Sequence, residues 1–322
     1  MGARGTRGGI DLGGTKIQTV VVDEGNEVLG DARRPTPQEG GPADVAAAMA
    51  EAMREASEAA GFEAADLAGV GVGSPGAIDA STGTVTSAKN LPGWDGSFAL
   101  GPELSGKLGT EVRLGNDVDV ATDAEFKLGA GVGHDSLLGV FWGTGVGGGL
   151  ILDGKRWVGV GSAGEFGHMV IERDGARCPC GRRGCVEAYA GRSAMEAKAR
   201  HEHEKKGEKT DLFKLMRKHD RPRLTSGIWA RALDHGDHLA THLVDRAVDA
   251  IGTGLASALN LLDVEAVVIG GGMGVRLGDP YVDRIVEAMM PHLFNDQRPP
   301  PVRVAALGDL GGAIGAALLV EG

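Results

Sequence analysis

The chain has 322 residues, 42% of them hydrophobic, which is enough to bury a large core and, by length, to form about two domains. Its 33 basic and 44 acidic side chains leave a net charge of −11, which argues against a nucleic-acid phosphate backbone as partner. No apolar run approaches the roughly 18 residues of a membrane span. Arg4 and Arg7 are too few, with no apolar stretch behind them, for a secretion signal, so a soluble cytoplasmic protein is expected.

Glycine is the compositional anomaly: 55 residues, about 17% of the chain against a usual value of roughly 7%. The glycines have no fixed period and bunch at the ends of apolar runs, as tight turns and close backbone approaches require. The first bunch lies in Gly9-Ile-Asp-Leu-Gly-Gly-Thr-Lys-Ile-Gln-Thr-Val-Val-Val-Asp23, which reads as strand, glycine turn, strand. Glu24-Gly25-Asn26 then turns the chain toward a third strand. Pro42 to Ala60, capped by Gly61, reads as a helix with Val45, Met49 and Met53 on one face. Leu67 to Ser74 is a strand. Gly71 to Gly76 satisfies Gly-x-Gly-x-x-Gly, but Pro75 and the residues after it open a turn, whereas a dinucleotide fingerprint opens a helix. The segment from Lys89 to Gly96 is expected to be a loop with Trp94 exposed. Glu111 to Leu114 is a short strand, and Asp119 to Leu128 a helix.

Leu137 to Asp153 repeats the first unit: strand, Gly143-Thr-Gly-Val-Gly-Gly-Gly149, strand, charged turn. This second Gly-x-Gly-x-x-Gly runs into a strand, again the wrong context for a Rossmann fold, and no Gly-x4-Gly-Lys-Ser/Thr occurs. All three cysteines fall in Cys178-Pro-Cys-Gly-Arg-Arg-Gly-Cys185, with His168 upstream in Gly-Glu-Phe-Gly-His. His168, Cys178, Cys180 and Cys185 make a complete tetrahedral set for a closed structural zinc. A disulfide would strand one thiol and need an oxidising compartment; three unrelated buried thiols would not explain the clustering. Residues 191–236 read as polar helices, with His201 and His203 on a solvated face. A long helix over Leu239 to Leu262 precedes the strand Ala266 to Ile269 and a glycine turn, Gly270-Gly-Gly-Met-Gly274. That turn suits a nucleotide base or ribose, and equally a plain helix start. Asp279 to Leu293 is a helix, Pro299 to Pro301 break the chain, Val302 to Ala306 is a strand, and a last helix follows Gly308 to Gly312.

A wide repeat of glycine hairpins points to two similar half-molecules, each presenting backbone N–H groups to phosphate oxygens. Thr15 and Thr144 add hydroxyls and Lys16 a charge; an ordinary hairpin turn is the alternative for either copy alone. Asp117, in Gly115-Asn116-Asp117-Val118, stands where a strand meets a helix. There it either caps the helix or accepts a proton from an alcohol attacking phosphorus, as a positioned Asp does in kinases. Asp11 is the natural carboxylate for Mg2+, held directly or through water.

Together, Asp11-Leu-Gly-Gly-Thr-Lys16, Asn116-Asp117, Gly143 to Gly149, Glu165-Phe-Gly-His168 and Cys178-x-Cys-Gly-x-x-Gly-Cys-x-Glu187 resemble the ROK family of sugar kinases and repressors across essentially the whole chain. The resemblance implies an α/β protein with the two-lobed actin-like ATPase (RNase-H-like) fold and a small structural zinc loop. A small lobe would take residues 1–117 plus 303–322, and a large lobe 118–302, with hinges near 117–118 and 302–304 and closure on the sugar. It implies Asp117 as general base, and sugar contacts from Gly76, Asn116, Asp117, Gly145, Glu165, His168 and Glu187, with His168 shared with zinc. ATP would meet Asp11, Gly13, Gly14, Thr15, Lys16, Thr144, Gly145, Gly271 and Gly272, with Mg2+. The family's Asn-Asp-Ala-Asn run appears here as Asn116-Asp-Val-Asp119, with the base intact. The pattern is most similar to bacterial glucokinases, which form glucose 6-phosphate from glucose and ATP in glycolysis, and implies a homodimer or homotetramer. Fructose, mannose and N-acyl-hexosamine kinases share these motifs. The family's repressors carry a DNA-binding domain before the kinase-like part, for which ten residues ahead of Asp11 leave no room. A zinc hydrolase needs an open metal position, which Cys3His lacks.

Overall fold

The structure is a computed structural model and describes residues 5–88 and 91–321; Arg4, Lys89 and Asn90 lie outside the described residues. The chain begins with strands β1 (Arg7–Leu12), β2 (Lys16–Val22) and β3 (Val28–Pro35), helix α1 (Pro42–Ala59) and strand β4 (Val70–Ser74). Then come β5 (Ala77–Asp79), β6 (Thr84–Thr86), β7 (Ser97–Phe98), α2 (Leu100–Leu108), β8 (Val112–Asn116) and α3 (Asp117–Leu128). β9 (Leu137–Trp142), β10 (Val146–Leu152) and β11 (Lys155–Arg156) lead into α4 (Glu187–Ala190), α5 (Arg192–Lys206), α6 (Leu212–Lys218), α7 (Ser226–Asp234) and α8 (His238–Leu262). The chain closes with β12 (Ala266–Gly270), α9 (Gly271–Leu277), α10 (Asp279–Met289), β13 (Val302–Val304) and α11 (Gly311–Ala317).

Two compact units result. One runs to Gly129 and resumes at Ala306; the other spans Ala130–Ala305. The sequence-based division at 117/118 and 302/303 therefore moves, because α3 stays with the first unit. It packs on α11, and the buried Glu125 carboxylate accepts from the Ala306 and Leu307 backbone N–H groups, both at 2.9 Å.

The two five-stranded sheets share one plan. The first is ordered β3-β2-β1-β4-β8 and the second β11-β10-β9-β12-β13. In each, three consecutive strands joined by two hairpins give two antiparallel pairings, and the strand after the crossover lies parallel to the first of the three. The repeat read from glycine hairpins is thus a repeat of whole sheets.

In the first unit α1 lays Val45, Met49 and Met53 on one face of the sheet, each fully buried and contributing about 1.5–3 kcal/mol. The other face takes α11, and here glycine is needed for approach. A Cβ at Gly71 of β4 would lie 1.7 Å from the Ala316 carbonyl oxygen. Trp94 departs from expectation. It is 2% exposed, packs edge-on against Phe98 with ring centroids 5.6 Å apart, and donates Nε1–H to the Val85 carbonyl at 3.4 Å. A large apolar ring with one donor finds both needs met under the small β5-β6-β7 sheet. The second unit is centred on α8, whose apolar stripe packs with Trp142, Trp229 and the strands of its sheet. The glycine run at 270–274 opens α9, with Gly270 as N-cap, which is the helix-start alternative read from the sequence.

Candidate active site and zinc loop

Each glycine hairpin has its carbonyls held from behind. In the first, the Thr36 hydroxyl donates to Gly13 O at 2.7 Å, the Gln38 amide to Gly14 O at 3.1 Å, and the Thr36 N–H to Thr15 O at 3.2 Å. The N–H groups of Gly14 and Thr15 find no acceptor among the described residues. Successive unpaired amides of this kind form an anion-binding concavity. Lys16 extends Nζ to 3.8 Å from Asp309. In the second hairpin, the Arg192 and Ser193 N–H groups at the start of α5 donate to Gly143 O and Thr144 O at 3.1 and 3.0 Å. Thr36, Gln38 and Arg192 carry no local sequence signal for this role, since their contacts bridge separate elements.

Asp117 is the first residue of α3, and the capping question resolves in favour of its neighbour. The Asn116 side-chain oxygen accepts from Val118 N and Asp119 N at 3.0 and 3.3 Å, as an N-cap does. The Asp117 Oδ1 accepts from Val118 N at 3.0 Å. Capping thus occupies the Asn116 oxygen and leaves its amide as the group available to a ligand. Asp117 keeps some accessible surface, yet protein atoms crowd it on most sides, and burial followed by the charge of Asp11 raises its pKa to about 7. Burial likewise raises Asp11, against the attraction of Lys16. Asp11 abuts Gly312 of α11, where a Cβ would come within 2.9 Å of its carboxyl carbon. Gly76, just beyond β4, has φ 95°.

In the second unit His168, Cys178, Cys180 and Cys185 place one ligand atom each within 4.8 Å of one another. The Cys180 and Cys185 sulfurs are 3.8 Å apart, and Cys178 Sγ is 3.9 Å from His168 Nδ1. No disulfide forms. Zinc bonds of about 2.3 Å to sulfur and about 2.0 Å to nitrogen span edges of that length in a tetrahedron, so the residues fit the ion. Burial pushes the Cys178 thiol up to about 12, a state that a dication at the centre reverses by deprotonating the thiols. A knuckle shapes the loop: Gly181 N donates to Cys178 O at 3.0 Å and Cys178 N to Arg182 O at 2.8 Å.

The zinc loop and the hairpin meet at Glu187. Its Oε2 accepts from Val146 N at 3.0 Å, while Oε1 lies 3.9 Å from Cys178 Sγ. Gly145 permits this, since a Cβ there would lie 2.2 Å from Glu187 Oε2. His168 turns Nδ1 to the thiols and Nε2 to Glu165 Oε2, 3.8 Å away, so one ring links the candidate metal ligands to an exposed carboxylate. The structure therefore gathers Gly145, Glu165, His168 and Glu187 in the second unit with Thr144 and the cysteines, and Asp11, Asn116 and Asp117 in the first with Gly13 to Lys16. Gly271 and Gly272 lie in the first turn of α9.

Comparison with known proteins identifies the family. The ROK family pattern matches residues 7–322. A glucokinase of Thermotoga maritima is 35% identical over 320 residues, covering 97% of this chain and 96% of its own. An N-acetyl-D-glucosamine kinase of Escherichia coli O1:K1 is 32% identical, with 97% and 98% covered. Among solved structures, a ROK family glucokinase from Streptomyces griseus in complex with glucose and AMPPNP superposes with a TM-score of 0.84 at 32% identity, covering 98% of this chain and 99% of the other. With the family pattern spanning both units and their glycine hairpins, the chain belongs to the ROK family, among its sugar kinases.

Proposed function

We propose that the protein transfers the γ-phosphoryl group of ATP to the 6-hydroxyl of glucose, with Asp117 as general base. The observation that carries the assignment is the Asn116–Asp117 pair. Asn116 satisfies the helix start, so Asp117 is spared for chemistry and is poised near neutral pH. Asp117 would take the proton of the attacking hydroxyl as the phosphoryl group is transferred. Positioning and charge stabilisation supply the rest of the catalysis.

The sugar is assigned to Gly76, the Asn116 amide and Asp117 on the first unit, and to Gly145, Glu165, His168 and Glu187 on the second. Carboxylates and an imidazole suit a ligand that presents several ring hydroxyls. A site of this kind rejects analogues lacking a hydroxyl better than an apolar pocket sorts by size. The nucleotide phosphates are assigned to the two hairpin tips and Lys16, and the adenosine to Gly271 and Gly272. Mg2+, bound with the nucleotide, neutralises charge on the transferring group. Asp11 is the residue suited to hold it, as a buried oxygen donor that a cation would ionise. Zinc is assigned a structural role at His168, Cys178, Cys180 and Cys185.

N-Acetylglucosamine is the second reading, supported by the kinase of that name at 32% identity. The test is kcat/KM with ATP across glucose, mannose, fructose and N-acetylglucosamine. A tenfold or greater preference for glucose is expected. The same margin for another sugar overturns glucose and leaves the sugar kinase standing.

A further inference from the structure

Arg192 is the first residue of α5, partly buried beneath the tip of the second glycine hairpin. Its guanidinium makes two directed contacts. One terminal nitrogen, Nη1, donates to the Leu224 carbonyl at 2.9 Å, and the other, Nη2, donates to the Thr144 hydroxyl oxygen at 2.8 Å. No carboxylate lies within ion-pair distance among the described residues, and burial lowers its pKa. Burial and the nearby charge of Arg223 both penalise its charged form and the more distant Glu196 offsets them only in part, so the cation is held there at a cost.

The chemistry of the Thr144 contact supplies a reason. A hydroxyl carries one hydrogen and two lone pairs, whereas a guanidinium only donates. Once Arg192 donates to Oγ1, the Thr144 hydrogen must point elsewhere, and nothing among the described residues accepts it. Beside it, the N–H groups of Thr144 and Gly145 are also without acceptors, while the carbonyls of Gly143 and Thr144 are taken by Arg192 N and Ser193 N. The tip therefore presents a hydroxyl and two amides, all as donors, with a positive charge directly behind. Such a surface suits a phosphate oxygen and repels nothing it carries.

We propose that Arg192 is a positioning residue for the phosphoryl donor: it orients the Thr144 hydroxyl as a hydrogen-bond donor to a nucleotide phosphate oxygen. This rests on the kinase reading above. The guanidinium fork matters as well as its charge, since a lysine ammonium offers no planar pair of donors to span Leu224 O and Thr144 Oγ1 together.

The test uses the full-length protein and measures the Kd of Mg-ATP by calorimetry, along with KM for ATP and for glucose. The variants are Arg192→Gln, Arg192→Lys, Thr144→Val and the Arg192→Gln/Thr144→Val pair. Arg192→Gln is expected to weaken Mg-ATP about tenfold, the loss of one charge-assisted hydrogen bond, with the glucose KM changed less than twofold. Thr144→Val should cost a similar factor, and the pair little more than either alone, because both remove one interaction. Arg192→Lys should fall between wild type and Arg192→Gln. Unchanged Mg-ATP affinity in both Arg192 variants overturns the proposal. So do multiplicative losses in the pair, or a glucose KM that rises in step with that for ATP. A wild-type protein that binds Mg-ATP but phosphorylates no hexose would refute the kinase reading, and the calorimetric arm would still judge Arg192.

Discussion

Asp117 and Asp11 are neighbouring carboxyls in the first unit, and the charge of Asp11 adds to burial in raising the pKa of Asp117 to about 7. Both flank Gly73 of β4, where a Cβ would lie 3.4 Å from Asp117 Cα and 3.9 Å from Ile10 O, the residue before Asp11. Burial raises the proton affinity of both carboxyls, as acid–base chemistry near neutral pH needs of at least one of them.

The general base must be ionised to accept a proton. Activity should therefore rise with pH to a plateau above about 7 and fall below it, as Asp117 protonates. Asp117→Asn should keep the fold and lose about 10²–10⁴-fold in kcat. Near-normal turnover in a folded Asp117→Asn protein sinks the assignment.

The same shift has a consequence for stability. The folded pKa of Asp117 is raised above its unfolded value of 3.8, so the folded state holds the proton more tightly. Its stabilising contribution is complete below pH about 4 and is lost as pH rises toward 7. Asp117→Asn, which cannot ionise, should thus gain Tm relative to wild type at pH 8 and show little difference at pH 4. Melting curves at the two pH values settle this; an equal Tm difference at both contradicts it.

Zinc should be found at about one per chain after washing with chelator, given a closed four-ligand set. Cys180→Ser should lose the metal and weaken sugar binding, since His168 and Glu187 are both tied to the cluster. A metal-free protein with full sugar affinity refutes the structural role.

Gly145→Ala places a methyl 2.2 Å from Glu187 Oε2, so the carboxylate must move and give up its bond to Val146 N. The sugar KM is expected to rise about tenfold, one charge-assisted hydrogen bond's worth, with the bulk of the core untouched. An unchanged KM would mean that Glu187 does not need this position.

Glu125→Ala takes the carboxylate acceptor from the N–H groups of Ala306, which is exposed, and Leu307, which is half-buried, and empties the buried place of the Glu125 side chain. The loss is on the order of 1–2 kcal/mol, from two charge-assisted bonds whose freed amides water can partly reach. Chemical denaturation should report it as a lower midpoint, and a midpoint within error of wild type would count against the role given to Glu125.

Much of the protein is written locally. The continuous apolar runs broken by glycines read directly as the two hairpins, and the spacing of Val45, Met49 and Met53 reads as α1, because both patterns depend only on neighbours a few residues apart. The candidate metal ligands are local too, since His168 and the three cysteines all fall within residues 168–185, a stretch that folds back on itself. What the sequence left open turns on groups distant in the chain. Whether Asp117 capped a helix was decided only when Asn116 took the two amides. Trp94 looked like a loop aromatic until β7 brought Phe98 beneath it. The break between units fell at Gly129 and Ala306 because Glu125 meets residues some 180 positions further along, a contact no local pattern encodes. Arg192 shows the same limit most plainly: its partners, Thr144 and Leu224, lie 48 and 32 residues away on either side. Local sequence chose the donors and acceptors, and tertiary packing decided which of them were satisfied and which were left for a ligand.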